Sequence, residues 1–449
     1  MAGVLMRGCR VVLLTAVILF GLLEAAEEAG SKPLTSLQME ALVKRYVEGD
    51  AAERQRVLGE CAGADALKAA GDMKAWSGKI LAALQKKGPR LNPVPTDLLA
   101  KLDGDRLKMC KMLGVGTSPV ATLESAAGQV RTVVLDSRMP RSPVVIYLHG
   151  GGHIPPDHPG EKDNEMAWTW GLKRSALIKC APFKLLPRCV DDKAVNAWVI
   201  PSGPQAVNAV LDALLRTCAV DPDRIYLMGS SMGGFGAWYF ASIEADRFAA
   251  VASLGGGCTV NDNGFANYCN LDFGAFVGEQ DTAADRLAGS RRGRDTLKAL
   301  NDKTPAGYKC FYKEYAGVGH NLPDKVYADV DAFLKDKARP AYPRVVVWRP
   351  VVAWKTRFYN LGIAAPKEGM SVKAEMGKDN TISVTSENVP ALTIYLNEQL
   401  ADFKKPVKVV WNGKEAFAGT LAPCLSVLLE TLGDRCDPGM FYSAKVSLR

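Results

Sequence analysis

The segment Arg224-Ile225-Tyr226-Leu227-Met228-Gly229-Ser230-Ser231-Met232-Gly233-Gly234 constrains the fold more than any other part of the chain. An apolar, strand-like run ends in Gly-x-Ser-x-Gly, and helix-compatible residues follow. A serine on so tight a strand-to-helix turn needs small neighbours, because larger side chains would clash there. The spacing selects Ser231 as the nucleophile. Ser230 would need a glycine where Met228 stands. The pattern therefore calls for a strand before the serine and a helix after it, in a sheet that exposes the turn at its edge.

A second piece lies upstream. The strand-like Val144-Val145-Ile146-Tyr147-Leu148 runs into His149-Gly150-Gly151-Gly152. Acyl transfer builds negative charge on a former carbonyl oxygen, and fixed backbone N–H groups must be aimed at it. One donor is expected from the N–H of Gly151 or Gly152 and the other from the N–H of Met232. The general base should be a histidine, and the chain has 4: His149, His153, His158 and His320. The first three precede Ser231. His320 follows a strand-like stretch from Cys310 to Tyr315, in Gly317-Val318-Gly319-His320-Asn321, and fits the order serine, acid, histidine. The acid should follow the intervening strand, where Gly274-Ala275-Phe276-Val277-Gly278 leads to Glu279-Gln280-Asp281. Asp281 is the choice for orienting the imidazole, with Glu279 and Asp285 as competitors. No cofactor is expected.

With these motifs in place, residues of about 128 to 338 resemble secreted α/β-hydrolases of the carboxylesterase and prolyl-oligopeptidase-like group. The resemblance rests on His149-Gly150-Gly151-Gly152, Gly229-Ser230-Ser231-Met232-Gly233-Gly234, Gly278-Glu279-Gln280-Asp281 and Gly317-Val318-Gly319-His320. Val220-Asp221-Pro222-Asp223-Arg224 before the elbow strand is similar to that group as well. The resemblance implies an ester-cleaving serine hydrolase with Ser231, Asp281 and His320 as its triad. A prolyl-oligopeptidase-like peptidase is the alternative, weakened because no large β-propeller fits ahead of residue 128. A further alternative is a catalytically silent scaffold that binds at a cell surface. The intact set of three residues argues against it.

The alternation of strands and helices from residue 128 onward implies a mostly parallel sheet with helices on both faces. Helical stretches are expected at Gln205 to Thr217, Phe235 to Ala245, Thr282 to Asn301 and Val326 to Asp336. The expected organisation is a signal peptide over 1–26, a helical N-terminal region and connector over 27–127, an α/β-hydrolase domain over 128–340, and a small β-rich, sandwich-like domain over 341–449. Asp50 with Glu53 reads as a capping box in the helical region. Asn412-Gly413 reads as a hairpin turn in the last domain.

The leader is expected from Arg7 and Arg10 ahead of the apolar run Val11 to Leu23, which is shorter than the roughly 20 residues a membrane span requires. Export to the cell envelope or beyond follows, with no stable membrane insertion after cleavage. Of 11 cysteines, all but Cys9 follow the leader, and no Cys-x-x-Cys pair occurs. The formal charge of +8 is spread over 449 residues and gives no footprint for nucleic acid. The expected partner is a small-molecule or polymer-linked ester, with a peptide as the alternative. The cluster His149, His153, His158, Asp157, Glu161 and Asp163 is broken by glycines and prolines and lacks a metal-binding helix face, so no metal site is expected. Trp168, Trp170 and Trp198 are read mainly as packing residues. Arg291-Arg292-Gly293-Arg294 is read as a solvated helix face.

Overall fold

The structure, a computed structural model, describes residues 34–62, 70–87, 92–93, 120–125, 128–135, 141–151, 170–171, 174–187, 198–217, 220–304 and 307–449. Nine strands form one sheet: β1 (Asn92–Pro93), β2 (Val120–Ser125), β3 (Gly128–Leu135), β4 (Ser142–Leu148), β5 (Phe183–Pro187), β6 (Val220–Ser230), β7 (Ala250–Leu254), β8 (Asp272–Gly278) and β9 (Lys309–Tyr315). Their order is β1-β2-β3-β5-β4-β6-β7-β8-β9. The six from β5 to β9 pair in parallel, and β1, β2 and β3 join antiparallel at one side. This is the α/β-hydrolase fold the motifs called for.

Parallel strands in the middle of a covered sheet need apolar residues on both faces. Accordingly, Val144 to Leu148 and Ala250 to Leu254 are buried throughout. On one face the helix Asp324–Leu334 lays Val326, Tyr327, Val330 and Leu334 against Tyr147, Met228, Leu254 and Phe276. On the other, the helix Met232–Glu244 carries Trp238 onto Phe273 of β8, with ring centroids 4.1 Å apart. The helix Arg286–Lys303 approaches the same ring at Gly293, where a Cβ would stand 2.5 Å from Trp238. The strand order reverses around β4, because the chain leaves it for β5 on one side and returns to β6 on the other. In open α/β sheets the carboxyl ends of strands at such a reversal form a crevice. The glycine loop after β4 and the serine after β6 both sit there.

Residues after 340 supply a five-stranded sheet in the order Val345–Trp348, Ser371–Met376, Thr381–Glu387, Val407–Trp411 and Lys414–Gly419. The turn between the last two is Asn412-Gly413, with both residues at positive φ (49° and 81°), as a two-residue hairpin requires. Arg357–Phe358 and Leu361–Gly362 form a tight antiparallel pair, with Tyr359 at φ 47° between them.

The chain divides into two compact units. The larger holds the nine-stranded and five-stranded sheets. Within it, Asn267 donates to the Arg349 carbonyl and accepts from the Arg349 amide at 2.8 and 2.7 Å. Nearby, the buried Lys355 ammonium sits between Glu244 (2.5 Å) and Asp246 (2.9 Å). The smaller unit collects the helices Ser36–Glu48, Ala51–Ala62 and Ala70–Lys87 with Leu425–Arg435. The four helices share a core of Leu42, Tyr46, Val57, Trp76, Ile80, Leu428 and Leu432. Asp50 accepts from the Glu53 amide at 2.8 Å, the first half of the expected cap. The helix at 425–435 interrupts the stretch that was expected to be β-rich.

Removing one member of a buried ion cluster leaves the others uncompensated, at a cost of about 3–5 kcal/mol. Lys355→Met would take from Glu244 and Asp246 the ammonium they share. Denaturant unfolding should register a loss in that range, and a loss under about 1 kcal/mol would contradict this account of the cluster.

Candidate active site

Ser231 caps β6 at φ 56° and ψ −117°, a conformation that costs a non-glycine residue about 1–3 kcal/mol. The surroundings hold it there. Its amide donates to the Leu254 carbonyl at 2.9 Å, and its own carbonyl accepts from Gly234 and Phe235 at 2.8 and 3.1 Å. The helix start then crosses the sheet with almost no clearance. A Cβ on Gly233 would stand 2.0 Å from the Leu148 carbonyl oxygen, and one on Gly229 the same distance from the Gly233 oxygen. Met232 is the first residue of the helix, so its amide has no acceptor within that helix.

The glycine loop rides directly on this turn. A Cβ on Gly150 would stand 3.3 Å from the Ser230 carbonyl and 3.4 Å from Ser231 Cβ. Gly151 follows at φ 140°, and Gly152 lies outside the described residues. His149 is fully buried, and its carbonyl accepts from Trp198 Nε1 at 3.0 Å. Trp198 thus packs, as expected, and also fixes the first peptide of the loop.

Two loops bring the other residues in. Past β8 and β9 the backbones are stitched: Glu279 donates to Tyr315 at 3.0 Å and Gln280 to Val318 at 2.9 Å. The stitch sets Asp281 beside His320. Asp281 Oδ2 is 2.8 Å from His320 Nδ1, and His320 Nε2 is 2.9 Å from Ser231 Oγ. The Asp281 side chain is 1% exposed and that of His320 is 38% exposed, so the acid is sealed off while the base reaches solvent. The competing acids are engaged elsewhere. Glu279 accepts from the Gly317 amide at 3.1 Å. Asp285 pairs with Arg292, whose guanidinium holds the Asp285 carboxyl below the usual range.

Two contributors escaped the sequence reading. Arg286 Nη1 lies 3.2 Å from Asp281 Oδ1, the oxygen that His320 leaves unused. Gly255, at φ 55°, runs beneath the pair; a Cβ there would stand 3.3 Å from Asp281 Oδ2 and 3.6 Å from His320 Nδ1. A glycine run after the apolar Ala250–Leu254 was the available signal. Among the described residues no group of three or more His, Cys, Asp or Glu could hold a metal ion. The residues His153, Asp157, His158, Glu161, Asp163 and Trp168 lie outside those described. No described helix is long and apolar enough to cross a membrane.

No family model and no curated protein matches the chain. Solved structures do. The chain is similar to a thermostable esterase at 20% identity and a TM-score of 0.39, over 49% of this chain and 62% of that one. It therefore covers less than two thirds of that esterase's length. It is similar to Est1E from Butyrivibrio proteoclasticus at 14% identity and a TM-score of 0.35, over 48% of this chain and 97% of that one. It is also similar to LpqC, a poly(3-hydroxybutyrate) depolymerase from Bordetella parapertussis, at 14% identity and a TM-score of 0.36, over 51% and 93% of the two chains.

An N–H held between a histidine and a buried carboxylate is strongly deshielded. Proton NMR of the folded protein should show such a resonance for His320 Nδ1–H. Asp281→Ala should abolish it. Gly255→Ala should displace it, through the added Cβ and the strain of a positive φ. A resonance unchanged in both variants would contradict the Asp281–His320 contact.

Proposed function

We propose that the chain hydrolyses carboxylic esters, with Ser231 as nucleophile, His320 as general base and Asp281 as the orienting acid. The observation that carries the reading is the unbroken relay from Ser231 Oγ to His320 Nε2 (2.9 Å) and from Nδ1 to Asp281 Oδ2 (2.8 Å), set on a strained elbow. Asp281 holds Nδ1 protonated, which leaves Nε2 free to accept the Ser231 proton. As Oγ bonds to the carbonyl carbon, the developing oxyanion is met by the Met232 N–H and by the N–H of Gly151 or Gly152. The tetrahedral adduct then collapses. The alcohol leaves with the proton from the imidazolium, and an acyl-enzyme remains. Water activated by His320 reverses these steps and releases the acid.

The same reading extends to export. Arg7, Arg10 and the apolar run Val11 to Leu23 support a cleaved leader and a protein working outside the cytoplasm.

Turnover of p-nitrophenyl butyrate should exceed that of a matched peptide p-nitroanilide. Asp281→Asn should lower kcat by about 10⁴, because the wrong tautomer then faces the serine. Ester turnover that survives Ser231→Ala would contradict the assignment.

A further inference from the structure

Two buried side chains hold consecutive peptides of the glycine loop. Trp198 Nε1 donates to the His149 carbonyl at 3.0 Å. The His149 ring reaches forward in turn, with Nδ1 2.5 Å from the Gly150 carbonyl oxygen. A carbonyl only accepts, so Nδ1 carries the hydrogen of that bond. The first contact fixes the peptide joining residues 149 and 150, and the second fixes the peptide joining residues 150 and 151. Both side chains are fully buried, and their rings meet edge to face, with centroids 5.2 Å apart and planes at 72°. Trp198 has little freedom of its own. A Cβ on Gly236 would stand 2.6 Å from Trp198 Cβ, and the indole meets Phe240 edge-on at 6.4 Å. The helix that starts just after Ser231 therefore anchors the indole, and the indole anchors the loop.

The second contact has a stereochemical consequence. A trans peptide is planar, and its carbonyl oxygen and amide hydrogen point in opposite directions. With the Gly150 oxygen drawn onto the buried imidazole, the Gly151 N–H faces away from that ring. Gly150 packs on the elbow, where a Cβ would stand 3.4 Å from Ser231 Cβ, so the next amide emerges beside the serine. Gly151 is half-buried, and no backbone carbonyl among the described residues accepts from its amide. A donor held at its far end, with no backbone acceptor and next to the nucleophile, is what a developing oxyanion requires.

We propose that Trp198 and His149 are positioning residues, a clamp that aims the Gly151 N–H at the oxyanion and makes Gly151, rather than Gly152, the donor of the loop. This deepens the ester-hydrolase reading and rests on it for turnover, but not for the clamp itself. A donor that meets the oxyanion acts in the transition state, so loosening it lowers kcat and leaves KM in place. Trp198→Phe keeps an aromatic ring and loses the N–H; it should lower kcat for p-nitrophenyl butyrate about tenfold, and His149→Ala about a hundredfold, within the span of losing one oxyanion donor. His149→Asn sets an amide N–H near the place of Nδ1 and should recover most of that loss. Affinity for a trifluoromethyl ketone, whose carbonyl carbon bonds to Ser231 Oγ and leaves a tetrahedral oxyanion, should fall by the same factor as kcat/KM in each variant. Nitrogen NMR of the unliganded wild-type protein tests the clamp without turnover: the His149 ring should show a protonated Nδ1. That measurement still decides where a variant fails to fold. Full kcat in both Trp198→Phe and His149→Ala, a loss confined to KM, no recovery in His149→Asn, or a bare Nδ1 would overturn the clamp. A protonated Nδ1 in a wild-type protein that neither turns over esters nor binds the ketone would leave the clamp standing and count against the hydrolase reading.

Discussion

Everything at the candidate site depends on one close crossing of backbones. The helix that starts at Met232 passes over the end of β4 so tightly that Gly233 has no space for a Cβ beside the Leu148 carbonyl. That approach brings three things to one point: the turn carrying Ser231, the amide of Met232, which has no acceptor within its helix, and the glycine loop after β4. A side chain at Gly229 or Gly233 would stand 2.0 Å from a backbone oxygen, so the backbones would have to move apart to admit it. The strain at Ser231 is the consequence, and it is held by the hydrogen bond from its amide to β7 and by the two helix amides that bond its carbonyl.

The second requirement is electrostatic. A buried carboxylate is costly unless paired. Asp281 has His320 on one oxygen and Arg286 on the other, and its backbone is fixed at both ends: its amide donates to the Gly278 carbonyl and its carbonyl accepts from the Leu287 amide. Arg286 reaches it because the chain doubles back through Ala284 and Asp285, both at positive φ (51° and 58°). The carboxylate is thereby held in place while the imidazole above it remains open to solvent.

Much of this was legible in the sequence, for local reasons. The elbow is a contiguous motif whose small residues answer a steric demand, and the order of Ser231, Asp281 and His320 follows the order of the strands. What was missed was non-local or weakly patterned. Ala250–Leu254 is short and alanine-rich, so it carries little strand signal, and Gly255 beneath the acid went unread with it. β5 carries Lys184 in a buried position, which masks its apolar pattern. The Arg286 contact needs a kink that helical periodicity over 282–301 conceals. In the last hundred residues, Leu425, Leu428, Leu429 and Leu432 have helical spacing, and a run of strand signals on either side hid it.

The central claim is that Ser231 is an activated nucleophile. The most direct measurement is reaction of the folded protein with a fluorophosphonate, followed by mass spectrometry of the modified peptide. The account predicts a single adduct on Ser231, absent from Ser231→Ala and strongly slowed in His320→Gln. No adduct on well-folded protein, or an adduct on another residue, would contradict it.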